Sequence, residues 1–470
     1  MLQATTVVLL ALTVGASQVF GHTGCGGHEI ARRNPGGPVI NSRAELRSLQ
    51  SRRPLGPRQA VTDEASAAQS IDPTQECTAY SYTPVLNAKS GFPTIWQTAE
   101  IVPGDNDATT LFASINSTVN SKFPNIGPKG SHTGNFTGVA YNNSDPDCWW
   151  TWRQCTTPAA DTGLHADITT VPEPDTWGFG FDDGPNCSHN ALYDYLRDNG
   201  QKATMFYIGS NVMDWPLQAL RGLDDGHEIC VHTWSHQYMT SFTNEEAFAE
   251  LYYTRKAIQT VLGVTPKCWR PPYGDVDNRI RLIAESLNLT NIVWSDDTED
   301  WKVGTDGVTA EDVGLNYQAV IDKVGNGTYT SSGPVVLNHE LNNFTMSEMV
   351  TYYEKIRAAF KYVVPIAAAY NWTTPYVETN VTFPDFLTYT NQSSSSSSSS
   401  ASPSASAAGS NGAGAVASGS RSGSATSTAA SGAASTTAAR SSAALGMDAK
   451  GAAVWGFSFM LIGRIALSMC

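Results

Sequence analysis

Positive charge is scarce in this chain: 29 Lys and Arg stand against 43 Asp and Glu in 470 residues, a formal net charge of −14. That balance argues against a nucleic-acid ligand, whose phosphates are neutralised by Lys and Arg. It suits a neutral substrate, or a product that becomes cationic. Closely spaced C-x-x-C pairs are absent, so no cysteine-built metal site is expected. No internal repeat is visible, and long apolar runs are confined to the two ends. Near the start, Val7 to Val14 followed by Gly15-Ala16-Ser17 falls short of the ~20 residues that span a bilayer. It reads as a signal peptide over residues 1–17, although Lys and Arg are missing from its first residues. At the other end, residues 391–446 are nearly all Ser, Ala, Gly and Thr. They have too little apolar surface to offset ordering entropy and are expected to form a disordered stalk. Residues 447–470 match a GPI-type lipid-anchor signal, with a permanent transmembrane helix as the alternative: a short polar spacer, then an apolar tail interrupted by Arg464, with Ser441, Ser442 and Gly446 as candidate anchor sites. Residues 391–470 hold one acidic residue, Asp448, so the acid excess belongs to the part that folds.

Eight cysteines fit an oxidising compartment. Cys470 would leave with the anchor signal, and Cys25 lies in a leader over residues 18–75 that is rich in Gly, Pro, Arg and Ser and contains the pair Arg52-Arg53. The six that remain (Cys77, Cys148, Cys155, Cys187, Cys230 and Cys268) are enough for three bridges, with Cys148 and Cys155 as the nearest local pair. Ten Asn-x-Ser/Thr sequons point to passage through a secretory pathway. The glycosylation candidates are Asn116, Asn135, Asn142, Asn288, Asn326, Asn371 and Asn380. Asn186 and Asn343 sit beside the motifs below and are not expected both to be used.

Residues 76–165 read as a loop-rich extension packed on a catalytic domain at 166–390. In it, Trp149, Trp150 and Trp152 are expected mainly to plug a core, with sugar stacking as the lesser reading. Beyond it, strand and helix signals alternate. Strands are expected at Thr176–Phe181, Ala203–Ile208, His227–Val231, Lys267–Trp269, Asn291–Trp294 and Pro334–Leu337. Capping boxes at Thr243-x-x-Glu246, Thr309-x-x-Asp312 and Thr345-x-x-Glu348 mark helix starts. Repeated β-α units imply an α/β fold with a parallel sheet and outer helices, here a distorted or incomplete (β/α) barrel.

Five clusters fall where strands end, the usual place for active sites in such folds. Asp182-Asp183-Gly184-Pro185 follows the first strand; alone it would read as a solvated turn. His232 and His236, spaced i and i+4, would share a face of a helical turn and grip one metal ion. With one of the two aspartates they make two histidines and a carboxylate, which leaves coordination open for water and substrate. Arg270 to Asp275, Asp297 to Trp301, and Leu337-Asn338-His339 complete the set. Each has a bland reading, but their common placement is hard to dismiss.

In this order the clusters resemble the polysaccharide deacetylases, the NodB-like group called carbohydrate esterase family four, over roughly residues 175–340. The flanking segments resemble those of anchored fungal chitin deacetylases. The resemblance implies removal of the N-acetyl group from N-acetylglucosamine units of chitin, at the outer membrane leaflet or cell wall, with no partner protein evident; a deacetylase of acetylated xylan or peptidoglycan, and a catalytically silent glycan-binding wall protein, are the alternatives. It further implies one divalent metal ion, zinc before cobalt, held by Asp183, His232 and His236. By the same resemblance Asp182 is the general base, oriented by Arg270, and His339 is the general acid, kept cationic by Asp300. The backbone N–H of Tyr273 would face the oxyanion, and Trp301 and Leu337 would line the acetyl pocket. One departure is visible: many relatives have Thr before Phe in the first motif, where this chain has Gly180-Phe181. Cys187, two residues beyond Pro185, is expected to be bridged rather than nucleophilic.

Overall fold

The computed structural model describes residues 61–397, with side chains to residue 391. The signal peptide, most of the leader, the stalk beyond Ser397 and the anchor candidates Ser441, Ser442 and Gly446 lie outside the described residues. Among the described residues, no helix is long and apolar enough to cross a membrane.

Eleven strands occur among the described residues. They are β1 (Thr170–Val171), β2 (Thr176–Gly178), β3 (Gly180–Gly184), β4 (Thr204–Tyr207), β5 (Glu228–Val231), β6 (Cys268–Trp269), β7 (Thr290–Asn291), β8 (Asp296–Asp297), β9 (Gly333–Pro334), β10 (Val336–Leu337) and β11 (Tyr362–Val364). Strands β3-β4-β5-β6-β7 form one parallel sheet in that order. A few residues on, β8 pairs in parallel with β10. Bridges Gly178↔Val335 and Asp182↔His339 carry β10 back to β2 and β3. The ring therefore closes on itself as a distorted barrel. It is broken at its base, where β11 pairs with β2 and β1 runs antiparallel to β9. Strands β3, β4 and β5 are buried along their whole length, as expected where helices cover a parallel sheet. Two buried polar groups near the strand starts satisfy each other: the Thr204 hydroxyl donates to Glu228 at 2.6 Å.

Helix Asn244–Leu262 begins at the expected capping box of Thr243 and Glu246 and ends at Gly263, whose φ of 74° closes the last turn. The box at Thr309 and Asp312 also forms. The expected start at Thr345 is wrong by one turn. Asn342 is the cap, accepting from the N–H groups of Phe344 and Thr345, and Thr345 serves as its third-residue partner. An asparagine oxygen reaches two amides there, so the upstream residue captures the helix start. The last helix, Phe386–Ser397, enters the segment expected to be a stalk from residue 391. Phe386 and Tyr389 are buried against the barrel, and a nucleated helix extends at little cost.

All six expected cysteines pair, as Cys77–Cys187, Cys148–Cys155 and Cys230–Cys268. The first bridge ties the N-terminal extension to the turn after β3. Residues 61–76, all but the last within the expected leader, include short helices Glu64–Ala67 and Pro73–Glu76, capped by Asp63 and Asp72. The Asn190 amide donates to the carbonyls of Ala67 and Ser70 at 2.8 and 2.7 Å, so this stretch packs on the domain. The Trp cluster divides: Trp149 and Trp150 are buried, while Trp152 is 42% exposed.

Candidate active site

Neighbouring side chains on a regular strand point to opposite faces, so Asp182 and Asp183 would not ordinarily serve one site. The register of β3 against β4 shifts between Phe181 and Gly184, and Asp183 has φ of 72°. This irregularity turns both carboxylates towards the same imidazole: His232 Nε2 lies 3.8 Å from Asp182 Oδ2 and 3.3 Å from Asp183 Oδ1. His236 Nε2 lies 3.0 Å from the same Asp183 oxygen. The two histidines do not share a helical turn, as their spacing suggested. The chain bends through positive φ at Thr233 (63°) and at His236 (55°), and those bends bring the rings to 5.0 Å between centroids.

The donor set fits a divalent cation. Asp183, His232 and His236 each offer a ligand atom within 4.8 Å of the others. His232 Nδ1 sits 2.8 Å from the Arg270 carbonyl, which makes that nitrogen the N–H and leaves the Nε2 lone pair facing Asp183. Asp183 Oδ1 is buried and makes no well-aligned hydrogen bond. Two imidazole nitrogens and one carboxylate oxygen are a donor set that could hold such an ion and leave coordination positions open.

On one flank Arg270 Nη1 donates to Asp182 Oδ1 at 2.5 Å, with both side chains buried. Arg270 is itself fixed by the Ile292 carbonyl at 3.1 Å and lies over the Phe206 ring. On the other flank Asp300 takes both N–H groups of His339, Nδ1 at 2.6 Å and the backbone amide at 3.0 Å. Burial alone would lower the His339 pKa. The Asp300 charge and hydrogen bond, reinforced by Asp183 and Asp182, outweigh it and push the imidazolium up to about 10. Burial would raise the Asp183 carboxyl; positive charge on the nearby His236 and His339 holds it well below the carboxylate range.

Of the remaining expected residues, Tyr273 is 38% exposed in a turn with φ of 58°, its ring stacked on Tyr238 at 4.1 Å and 4.9 Å from His236. Trp301 is 41% exposed beside Asp300, and Leu337 is buried at the end of β10. Asn135, Asn142, Asn288, Asn326, Asn371 and Asn380 are exposed, Asn116 is half-buried, and Asn186 is 4% exposed. Two residues escaped the sequence reading. Asn211 donates to the Asp183 carbonyl at 2.8 Å. Glu250 holds the loop between the two histidines, accepting the N–H groups of Trp234 and Ser235 at 2.8 Å each. Glu250 did carry a signal: it is a charge on the buried face of a helix, between Ala247 and Thr254.

A family model described as polysaccharide deacetylase matches residues 170–292. Chitin deacetylase 2 of Cryptococcus neoformans var. grubii is 65% identical over 399 residues, covering 84% of this chain and 84% of that protein. A chitin deacetylase 2 of Cryptococcus neoformans var. neoformans is 62% identical over 395 residues, 83% of each chain. The chitin deacetylase of Amylomyces rouxii is 47% identical over 331 residues, 69% of this chain and 77% of that protein. With the barrel and the gathered clusters, these matches show that the chain belongs to the polysaccharide deacetylase family.

Proposed function

We propose that this protein hydrolyses the N-acetyl group of N-acetylglucosamine units in chitin, giving chitosan and acetate, outside the cell. The observation that carries the reading is the gathering of two charged pairs about three donor atoms. Asp183, His232 and His236 offer ligand atoms within 4.8 Å of one another, Asp182, paired with Arg270, lies 3.8 Å from His232, and His339, paired with Asp300, is bridged to Asp182 along the backbone. Relatives named chitin deacetylase, similar over more than four-fifths of the chain, support the choice of polymer.

A divalent cation on those three ligands, zinc or cobalt, supplies Lewis-acid polarisation of the acetamide carbonyl and makes water more acidic. Asp182, oriented by Arg270, accepts a proton from water as the water oxygen bonds to the carbonyl carbon. The Tyr273 backbone N–H donates to the oxyanion. His339 then gives its Nε2 proton to the sugar nitrogen as the C–N bond breaks, so an amine leaves rather than an amide anion. Trp301 and Leu337 border the space for the acetyl methyl. The acidic surface suits the cationic product. The signal peptide, the sequons and the anchor signal at 447–470 support a lipid-anchored enzyme at the plasma membrane and wall, with residues 166–390 as its catalytic domain.

The test is acetate release from chitin oligomers, acetylated xylan and peptidoglycan fragments by the metal-loaded protein. Release from the first is expected, and none from it would refute the chitin reading. A second prediction follows from Asp300. The active form of His339 is protonated, so activity should persist through neutral pH and fall as pH rises towards about 10. In Asp300→Asn the negative charge is lost, and a single amide oxygen cannot accept from both His339 N–H groups. The alkaline limb of kcat against pH should then move down by more than a unit; an unmoved limb contradicts the acid assignment.

A further inference from the structure

The loop that carries His232 and His236 is not held in shape by its own backbone. Thr233 and His236 sit at positive φ, and such conformations are unfavourable unless the surroundings impose them. The surroundings here converge on Glu250, which is fully buried in helix Asn244–Leu262. Its Oε2 accepts the backbone N–H groups of Trp234 and Ser235 at 2.8 Å each. Its Oε1 accepts the Ser235 hydroxyl at 2.6 Å and the backbone N–H of Ala99 at 2.9 Å. Ala99 belongs to the N-terminal extension, outside the matched residues 170–292. The same stretch touches the loop twice more. The Trp234 indole N–H donates to the Thr94 carbonyl at 3.0 Å. The Trp96 N–H donates to Ser210 Oγ at 2.8 Å, and that hydroxyl donates onward to the Trp234 carbonyl at 2.6 Å.

We propose that Glu250 is a positioning residue for the metal centre: by accepting four hydrogen bonds it clamps the His232–His236 loop to residues 94–99, so that the N-terminal extension is part of the metal-binding unit. The proposal rests on Asp183, His232 and His236 being the ligands. Removing an outer partner of a metal ligand weakens affinity typically by about 10- to 100-fold.

Glu250→Gln tests it with little change of shape. Whichever way the amide is turned, its NH2 faces a backbone N–H that the carboxylate had accepted, so at least one bond of the clamp is lost. The measurement is the zinc dissociation constant of the full chain, by competition with a chromophoric chelator, alongside the melting temperature. Zinc affinity should weaken by about 10- to 100-fold. Glu228→Gln is the control: Glu228 is also fully buried and lies on β5, the strand that leads into His232, but it accepts from Thr204 and Ala367 near the start of that strand. It should lower the melting temperature and leave zinc affinity unchanged. Unchanged affinity in Glu250→Gln, or equal weakening in both variants, overturns the proposal. If Glu250→Gln does not fold, Ser235→Ala removes the hydroxyl bond alone and should still weaken zinc binding; no weakening also overturns it. A wild-type protein that binds no zinc would instead refute the ligand set.

Discussion

Replacing Asp182 by asparagine should slow acetate release by about a hundred- to ten-thousand-fold, the usual contribution of a positioned general base. Asparagine has the same shape and its oxygen still accepts from Arg270, so that contact keeps its form. It has no lone-pair site basic enough to take the proton from water. Asp182 is not one of the three proposed ligands, so the protein should retain its metal. The change also leaves the Arg270 guanidinium buried without its counter-charge, a loss that costs about 3–5 kcal/mol in comparable buried pairs. The rate must therefore be expressed per folded, metal-containing molecule, with zinc content and melting temperature measured on the same sample. Near-normal turnover on that basis would end the base assignment. Loss of zinc together with activity would place Asp182 among the ligands.

His232→Ala should abolish both metal binding and turnover, because two remaining ligands hold a divalent ion too weakly to survive dialysis. Of the three proposed ligands, His232 also has a second tie within the site. It is 1% exposed, and its Nδ1 bond to the Arg270 carbonyl joins the metal site to the Asp182–Arg270 pair. The readouts are zinc per protein after dialysis and acetate released with and without added zinc. A fully metallated, dialysed variant would sink the ligand assignment. Stripping the wild-type protein with a chelator should reproduce the loss of activity, and zinc should restore it.

Both experiments bear on residues that were legible in the sequence as types and positions, but not as an arrangement. The strand ends were readable because apolar-rich stretches such as Trp177–Phe181 and Ile229–Val231 stop where the acid and histidine clusters begin, although Asp182 and Asp183 fall within β3 itself. The even cysteine set was readable as three bridges, while Cys77–Cys187 and Cys230–Cys268 were not, since pairing depends on which loops meet. Helix starts were readable where one cap was available, at Thr243 and Thr309, and misplaced where Asn342 competed with Thr345.

The sequence by itself determined the fold class, the chemistry of the donor atoms and the order of the clusters, because burial pattern and residue type are local properties. Only the tertiary structure decided that adjacent Asp182 and Asp183 face one imidazole, and that two histidines outside any helix meet on one carboxylate. Those outcomes depend on a register shift in β3 and on positive φ values at Asp183, Thr233 and His236. Such conformations are unfavourable in isolation. They persist because distant groups such as Glu250 and Asn211 hold them, and no spacing rule reports a partner that lies far away in the chain.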